Sequence, residues 1–133
     1  MAEAAGNVLA GIRTLEQAGA HNFLVPLLPD TGLHARLSPE EAALATLLTE
    51  EFNTILRSGL NKLEEAFIFT PDLFTFVNNI VASPSEFGIT EIERPCLNDP
   101  ACRADPQGII ANRFFLFDNP HATRLTIATD FFR

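Results

Sequence analysis

Two short apolar runs on either side of one long amphipathic segment constrain the fold of this chain most. The runs are residues 23–28 and 67–69. The first is continuous and bounded by polar residues, which is typical of a strand buried on both faces in a parallel sheet, and the second is another short apolar strand. Pro26 cannot donate to such a ladder and prefers an edge strand. We nevertheless predict a strand at each run.

The segment between the runs carries the clearest local signal. Ser38 is a good N-cap, Pro39 suits the first helical position, and Glu41 completes a capping box. Gly59 costs up to ~1 kcal/mol relative to Ala inside a helix, so we expect fraying toward residue 60. The apolar residues recur at helical spacing and predict one core-facing side made of Leu44, Leu47, Leu48, Phe52, Ile55, Leu56, Leu60 and Leu63.

Two further helices are predicted around these elements. Residues 8–15 have helical periodicity and Gly19 is placed to end that helix. Another helix opens at Thr70-Pro71-Asp72 and ends at Ser83-Pro84-Ser85. Helix and strand therefore alternate, which predicts an α/β protein with a small parallel sheet. A two-stranded sheet leaves open edges and uncovered apolar faces, so residues 1–133 look like a single partial domain of something larger.

Residues 84–112 have a different composition, with four prolines, two cysteines and little periodicity. We predict a long ordered loop, followed in residues 113–133 by an apolar patch and a short final helix. Cys96 and Cys102 do not have the spacing of a C-x-x-C zinc or redox motif. They form either a small disulfide that staples the loop or two independent thiols. A disulfide would favour an extracytoplasmic or secreted protein, although the N-terminus lacks signal-peptide features.

Charge and hydropathy exclude several partners. The chain has 17 acidic and nine basic residues and a net charge of −8, so we expect no binding to nucleic acid. Its apolar runs fall well short of the length that spans a bilayer, so we expect no membrane span. No metal-binding or cofactor-binding pattern is present, and we predict no cofactor.

Of the three histidines, His121 has the most suggestive surroundings. His21 and His34 read as ordinary loop histidines, because neither has a second ligand at helical spacing. Asp118 lies three residues before His121, and a carboxylate that reaches an imidazole fixes its tautomer and leaves the other nitrogen as a general base. The alternative is structural: Asp118 or Asn119 caps the final helix, with Pro120 in its first turn.

Blocks in the same order along the chain resemble the GDSL (SGNH) esterases and lipases. Residues 6–29 look like the helix and strand after the family's third conserved block. Phe52, Asn53 and Leu56 resemble its F-N-x-x-L, residues 83–89 its N-P-x-x-x-G-F turn, and the two cysteines fall where many members carry a pair. Residues 115–123 resemble the last block, Y-x-F-W-D-x-x-H-P-T.

This resemblance implies a partial flavodoxin-like, three-layer fold in which Asp118 is the orienting acid and His121 the catalytic base. The family's Gly-Asp-Ser nucleophile, and the glycine and asparagine of its oxyanion hole, have no counterpart here. None of the serines stands in a G-D-S or G-x-S-x-G setting; they are Ser38, Ser58, Ser83 and Ser85. The chain therefore resembles the C-terminal half of such an enzyme.

Two functions remain open at this point. The first is half of a serine ester hydrolase, inactive alone and dependent on a complementing N-terminal half. The second is a non-catalytic remnant or interaction module that self-associates through its exposed sheet edge. Departures near the last block favour the second, since Phe117 stands where the family has Trp and Ala122 where it has Pro.

Overall fold

The computed structural model describes residues 1–33, 37–64, 66–105 and 108–116. One compact unit comprises residues 1–33 and 38–75, and a second contains the described residues from 76 onward. The predicted α/β class is confirmed. Within the described residues the helices and strands are α1 (Ala2–Gln17), β1 (Asn22–Leu24), α2 (Pro39–Leu60), β2 (Phe67–Phe69), α3 (Leu73–Ala82) and α4 (Pro100–Arg103).

The two strands pair in parallel, as predicted. Phe23 lies opposite Ile68, and the ladder continues past β1, where the backbone N–H groups of Val25 and Leu27 donate to Phe69 and Pro71 at 2.9 Å each. These two donors flank Pro26, so the missing N–H of the proline falls on the side away from β2. The proline is therefore compatible with the pairing.

Burial along the sheet alternates, so the prediction of strands buried on both faces is wrong. Phe23, Val25 and Ile68 pack against a core of residues from α1, α2 and the end of the first run. On the opposite face, Leu24 is 57% exposed, Phe67 70% and Phe69 56%. Both faces of the sheet are apolar, but among the described residues the helices α1 and α2 pack against one of them. The core residues are Ala5, Leu9, Ile12, Leu27, Phe52, Leu56 and Leu60.

The helix α1 confirms the first helical prediction and crosses close to α2. Gly19 follows it with φ of +98°, a conformation that favours glycine and ends the helix. A Cβ at Gly59 of α2 would lie 2.1 Å from Leu9 Cδ1. Gly59 is buried one residue before α2 ends at Leu60, and its absent side chain makes room for Leu9. The fraying toward residue 60 stays a prediction.

The predicted capping box of α2 is confirmed. Ser38 Oγ accepts the Glu41 N–H at 3.3 Å, and Glu41 Oε2 accepts the Ser38 N–H at 2.8 Å. The backbone hydrogen bond from Ser38 is the main cause that holds the pKa of the Glu41 carboxyl below its ordinary value. The predicted core-facing side is correct only for the C-terminal half of α2, because Leu44, Leu47 and Leu48 are exposed.

In the second unit, α3 ends as predicted and a 3-10 turn follows at Pro84–Phe87. Gly88 closes that turn with φ of +71°. The rings of Phe76 and Phe87 meet edge to face with centroids 6.0 Å apart, a favoured aromatic geometry. The described part of the long loop contains α4 and several 3-10 turns.

Candidate functional site

The predicted acid–base pair, Asp118 and His121, lies outside the described residues, as does His34. The alternative role of Asp118 or Asn119 as a helix cap lies there too. His21 is exposed in the loop after α1, where its backbone carbonyl accepts the Phe67 N–H at 2.7 Å. This placement agrees with the reading of His21 as an ordinary loop histidine.

The cysteine pair forms a disulfide, which confirms one of the two predicted states. The Cα atoms of Cys96 and Cys102 are 5.4 Å apart, and both residues are almost fully buried. They share an apolar cluster with Phe114, against which Ile110 and Ala111 also pack. The bond therefore closes a small ring within the long loop, and its packing against Phe114 places that ring beside the segment that leads into the last sequence block.

A chain of polar contacts organises the loop before the disulfide. Glu91 accepts hydrogen bonds from the backbone N–H groups of Glu93 and Arg94 and from Arg94 Nε. Arg94 also lies 3.9 Å from Asp99, whose Oδ1 accepts the N–H groups of Ala101 and Cys102 at the start of α4. Burial raises the pKa of the Glu91 carboxyl, but the hydrogen bonds from Arg94 and Glu93 outweigh it, so the pKa lies below its ordinary value.

Residues 113–116 form backbone hydrogen bonds with two positions of this loop, Glu91 and Cys96. Glu91 N–H donates to the Arg113 carbonyl at 3.0 Å, and Phe115 N–H donates to the Glu91 carbonyl at 2.9 Å. One step further, Cys96 N–H donates to the Leu116 carbonyl at 2.9 Å. We call these backbone bonds, together with the disulfide, the disulfide clamp. The clamp fixes the backbone two residues before Asp118.

A groove of about 620 Å³ opens in the first unit beyond the carboxyl ends of β1 and β2. We call it the α2 groove. Leu27, which follows β1, and residues 72–75, which follow β2, line one part of it. The polar side chains that α2 contributes to the opposite wall are Glu50, Asn53, Thr54, Arg57, Ser58 and Asn61.

Arg57 and Asp72, which both line the α2 groove, form an ion pair. Arg57 Nη2 donates to Asp72 Oδ2 at 3.0 Å, while Asp72 Oδ1 accepts the Thr75 N–H at 3.0 Å. Burial raises the pKa of the Asp72 carboxyl, but the hydrogen bonds from Thr75 and Arg57 and the Arg57 charge outweigh it, and the net pKa is lowered. Asp72 is therefore a carboxylate at neutral pH that joins α2 to the first turn of α3.

The loop after β1 is fixed by buried polar groups. Asp30 Oδ1 accepts the Gly32 N–H at 2.9 Å and the Thr46 hydroxyl at 2.8 Å. Thr31 and Thr49 share a hydroxyl–hydroxyl bond of 2.6 Å. A Cβ at Gly32 would come within 2.4 Å of the Ala42 carbonyl oxygen, so a glycine is needed where the loop touches α2.

Sequence reasoning missed the α2 groove, although a signal was present. The resemblance to F-N-x-x-L singled out Asn53 without giving it a role. Arg57 follows Asn53 by four residues, so both lie on the same face of a helix. The pairing of Arg57 with Asp72 depends on how the chain returns after β2, which periodicity does not report.

Comparison with known proteins gives one informative similarity. A Pseudomonas putida protein described as an "Uncharacterized protein in trpE-trpG intergenic region" is 31% identical to this chain over 110 residues. The similarity covers 79% of this chain but 18% of that protein, so the chain spans about a fifth of the relative it matches. No protein-family model matches the chain. Among the described residues, no helix combines the length and hydrophobicity that a bilayer crossing requires.

Proposed function

We propose that this chain is the C-terminal portion of a GDSL-type serine ester hydrolase with a three-layer, flavodoxin-like fold. Asp118 is its orienting acid and His121 its general base. The nucleophilic serine and the oxyanion donors come from a complementing N-terminal segment, without which the chain is inactive. Oxyanion donors are worth about 3–4 kcal/mol each in comparable enzymes, so the loss of both nucleophile and donors removes nearly all of the rate acceleration.

In the complemented enzyme, the serine oxygen attacks the ester carbonyl while His121 accepts the serine proton. The imidazolium then gives that proton to the departing alcohol, and an acyl-enzyme remains. Water attacks the acyl-enzyme with His121 again as base, which releases the carboxylic acid and restores the serine. Asp118 holds the imidazole in the required tautomer and stabilises its cationic form throughout.

The observation that carries this proposal is the disulfide clamp. A general base acts only when it is held within hydrogen-bond reach of its proton, and such groups need supporting structure around them. The clamp pins the backbone at Leu116, and Asp118 and His121 follow two and five residues later. A buried disulfide at this point supports a role in positioning the last block.

A second support comes from the block that resembles F-N-x-x-L. Phe52, Asn53 and Leu56 are all buried in the first unit. The apolar pair packs in the core, and Asn53 bonds the backbone beyond β1. The three positions that the resemblance singles out thus share one structural task, the fastening of α2 to the sheet.

The test joins this chain to an N-terminal segment that carries the Gly-Asp-Ser, glycine and asparagine blocks, and measures hydrolysis of p-nitrophenyl butyrate. We expect activity only in the joined protein, and we expect His121→Ala to abolish it. Asp118→Asn should retain the fold and lose most of the rate. His21→Ala is the matched control and should leave the rate unchanged. An active joined protein that tolerates His121→Ala would overturn the proposal.

The second candidate function is an interaction module. The exposed apolar side chains on one face of the sheet favour it. Leu24, Phe67 and Phe69 expose more than half of their surface on one side of the sheet, and clustered exposed apolar residues mark contact sites. If this function is correct, sedimentation velocity shows concentration-dependent self-association that Phe69→Glu removes. A monomer at all concentrations counts against it.

A further inference from the structure

The α2 groove has the position and size of a small-molecule site. Parallel sheets bind their ligands outside the carboxyl ends of the strands. The groove lies beyond those ends of both β1 and β2, where Leu27 and Asp72 are among its lining residues. Its volume of about 620 Å³ falls within the range of about 300–1,000 Å³ that is usual for ligand sites.

Hydrogen bonds within the chain hold the walls of the groove. The side-chain amide of Asn53 bonds both backbone groups of Leu28. Arg57 is bonded to Asp72, which in turn accepts the Thr75 N–H. A ligand would therefore meet a preorganised surface, and little ordering entropy opposes its binding.

Several polar groups on the wall have hydrogen-bonding capacity that the described chain does not use. The side chains of Thr54, Ser58 and Asn61 are exposed and make no hydrogen bond to any described residue. They follow one another at spacings of four and three residues and so share one face of α2. One guanidinium nitrogen of Arg57 donates to Asp72, and the guanidinium has further N–H donors.

The charges of the groove disfavour an anionic ligand, and its carboxylate at Asp72 is already paired. One cation, Arg57, stands with two carboxylates, Glu50 and Asp72, in a chain whose net charge is −8. This balance repels anions. A cation would have to compete with Arg57 and the Thr75 N–H for Asp72. Hydroxyl groups can donate to the carboxylates and accept from Arg57 and Asn61, and the half-buried Phe74 provides apolar contact for C–H groups.

We infer that the α2 groove binds a neutral polyhydroxylated ligand, a saccharide unit, through Arg57, Ser58 and Asn61. This inference uses none of the residues proposed for ester hydrolysis and does not depend on that proposal. The groove is open to solvent and its polar contacts are exposed. We therefore expect a dissociation constant of about 1–10 mM, which corresponds to a binding free energy of about 3–4 kcal/mol.

The test is a titration of the ¹⁵N-labelled chain with maltose, cellobiose and methyl α-mannoside, followed by amide chemical shifts. At least one sugar should give saturable shifts confined to Thr54, Ser58, Asn61 and Thr75. Glucuronate and glucosamine at the same concentrations should bind more weakly, because the groove disfavours both charges. The absence of saturable shifts with all three neutral sugars up to about 100 mM, a free energy weaker than about 1.4 kcal/mol, would overturn the inference.

Two variants distinguish sugar binding in the groove from nonspecific binding. Ser58 and Asn61 make no side-chain hydrogen bond to any described residue, so the double substitution Ser58→Ala/Asn61→Ala leaves the fold intact. It should weaken sugar binding at least about fivefold, which is the effect of losing one hydrogen bond worth about 1 kcal/mol. Asn7→Ala, at an exposed position of α1, is the matched control and should not change binding. Equal binding by the double variant, or tighter binding of either charged sugar, contradicts the inference.

Discussion

The side chain of Asn53 binds both backbone polar groups of Leu28. Its Oδ1 accepts the Leu28 N–H at 2.8 Å and its Nδ2 donates to the Leu28 carbonyl at 2.9 Å. The N–H groups of Val25 and Leu27 point toward the second strand segment, so the peptide groups of Leu28, the next residue, point away from it and need another partner. An asparagine amide offers one acceptor and two donors in one plane, which matches the two groups at once and joins α2 to the sheet.

Asn53→Leu tests this connection. The substitution keeps the approximate side-chain size but leaves the Leu28 N–H and carbonyl without their partner, and unsatisfied groups of this kind cost about 1–3 kcal/mol. We expect the free energy of unfolding to fall by about 2–4 kcal/mol, measured by urea titration and circular dichroism. The control is Asn61→Leu on the exposed face of the same helix, which should change stability little. Equal effects of the two substitutions would contradict the role of Asn53.

Gly59→Ala tests the close crossing of α1 and α2. Alanine gains up to ~1 kcal/mol in a helix relative to glycine, but the new Cβ would overlap Leu9 Cδ1, and overpacking costs about 1–3 kcal/mol. We therefore expect net destabilisation. Gly11→Ala is the control, since nothing lies within 4 Å of its Cβ position, and it should stabilise the chain. In a Leu9→Ala background the penalty at residue 59 should disappear; a penalty that persists there would have another cause.

Reduction of the disulfide should release the segment before the last block. A cross-link that closes a loop this short is worth about 2 kcal/mol. Hydrogen exchange at the Cys96 and Phe115 amides, which form the clamp, should accelerate about tenfold or more after treatment with a dithiol. Amides of α2 should keep their protection. The doubly substituted Cys96→Ala/Cys102→Ala chain should exchange rapidly with or without reductant. Unchanged exchange in the reduced native chain would show that the disulfide does not hold this segment.

Acid should weaken the second unit through Glu91. The pKa of this carboxyl is lowered in the folded chain from its ordinary value of 4.5, so its contribution to stability is present above pH 4.5 and is lost as the pH falls through the folded pKa. Glu91→Gln should therefore destabilise the chain at pH 7 and have progressively less effect as the pH drops below 4.5. Glu93→Gln, two residues away and exposed, is the control. A stability difference for Glu91→Gln that does not vary with pH would contradict the account.

The features that the sequence predicted correctly depend on neighbouring residues. Ser38 and Glu41 are three residues apart, and a capping box is defined within one helical turn. The end of α1 at Gly19 and the disulfide between Cys96 and Cys102 are also local events. For such features the chemistry of a few adjacent side chains decides the outcome.

The features that the sequence predicted wrongly depend on residues far apart in the chain. Leu24 and Phe69 are apolar, but whether a helix covers them depends on elements elsewhere in the chain. The close contact at Gly59 was missed because Leu9, the residue it accommodates, is fifty positions away. The α2 groove was missed for the same reason, since Arg57 and Asp72 become neighbours only through the packing of α2 on the sheet.

We propose that this chain holds the acid–base pair of an ester hydrolase and lacks its nucleophile. The most direct measurement is intact mass spectrometry after exposure to a fluorophosphonate that labels activated serines. The account predicts no adduct on the chain alone and one adduct per molecule once the N-terminal segment with the Gly-Asp-Ser block is joined to it, with labelling lost in His121→Ala. An adduct on the chain alone, or labelling of the joined protein that His121→Ala leaves unchanged, would contradict it.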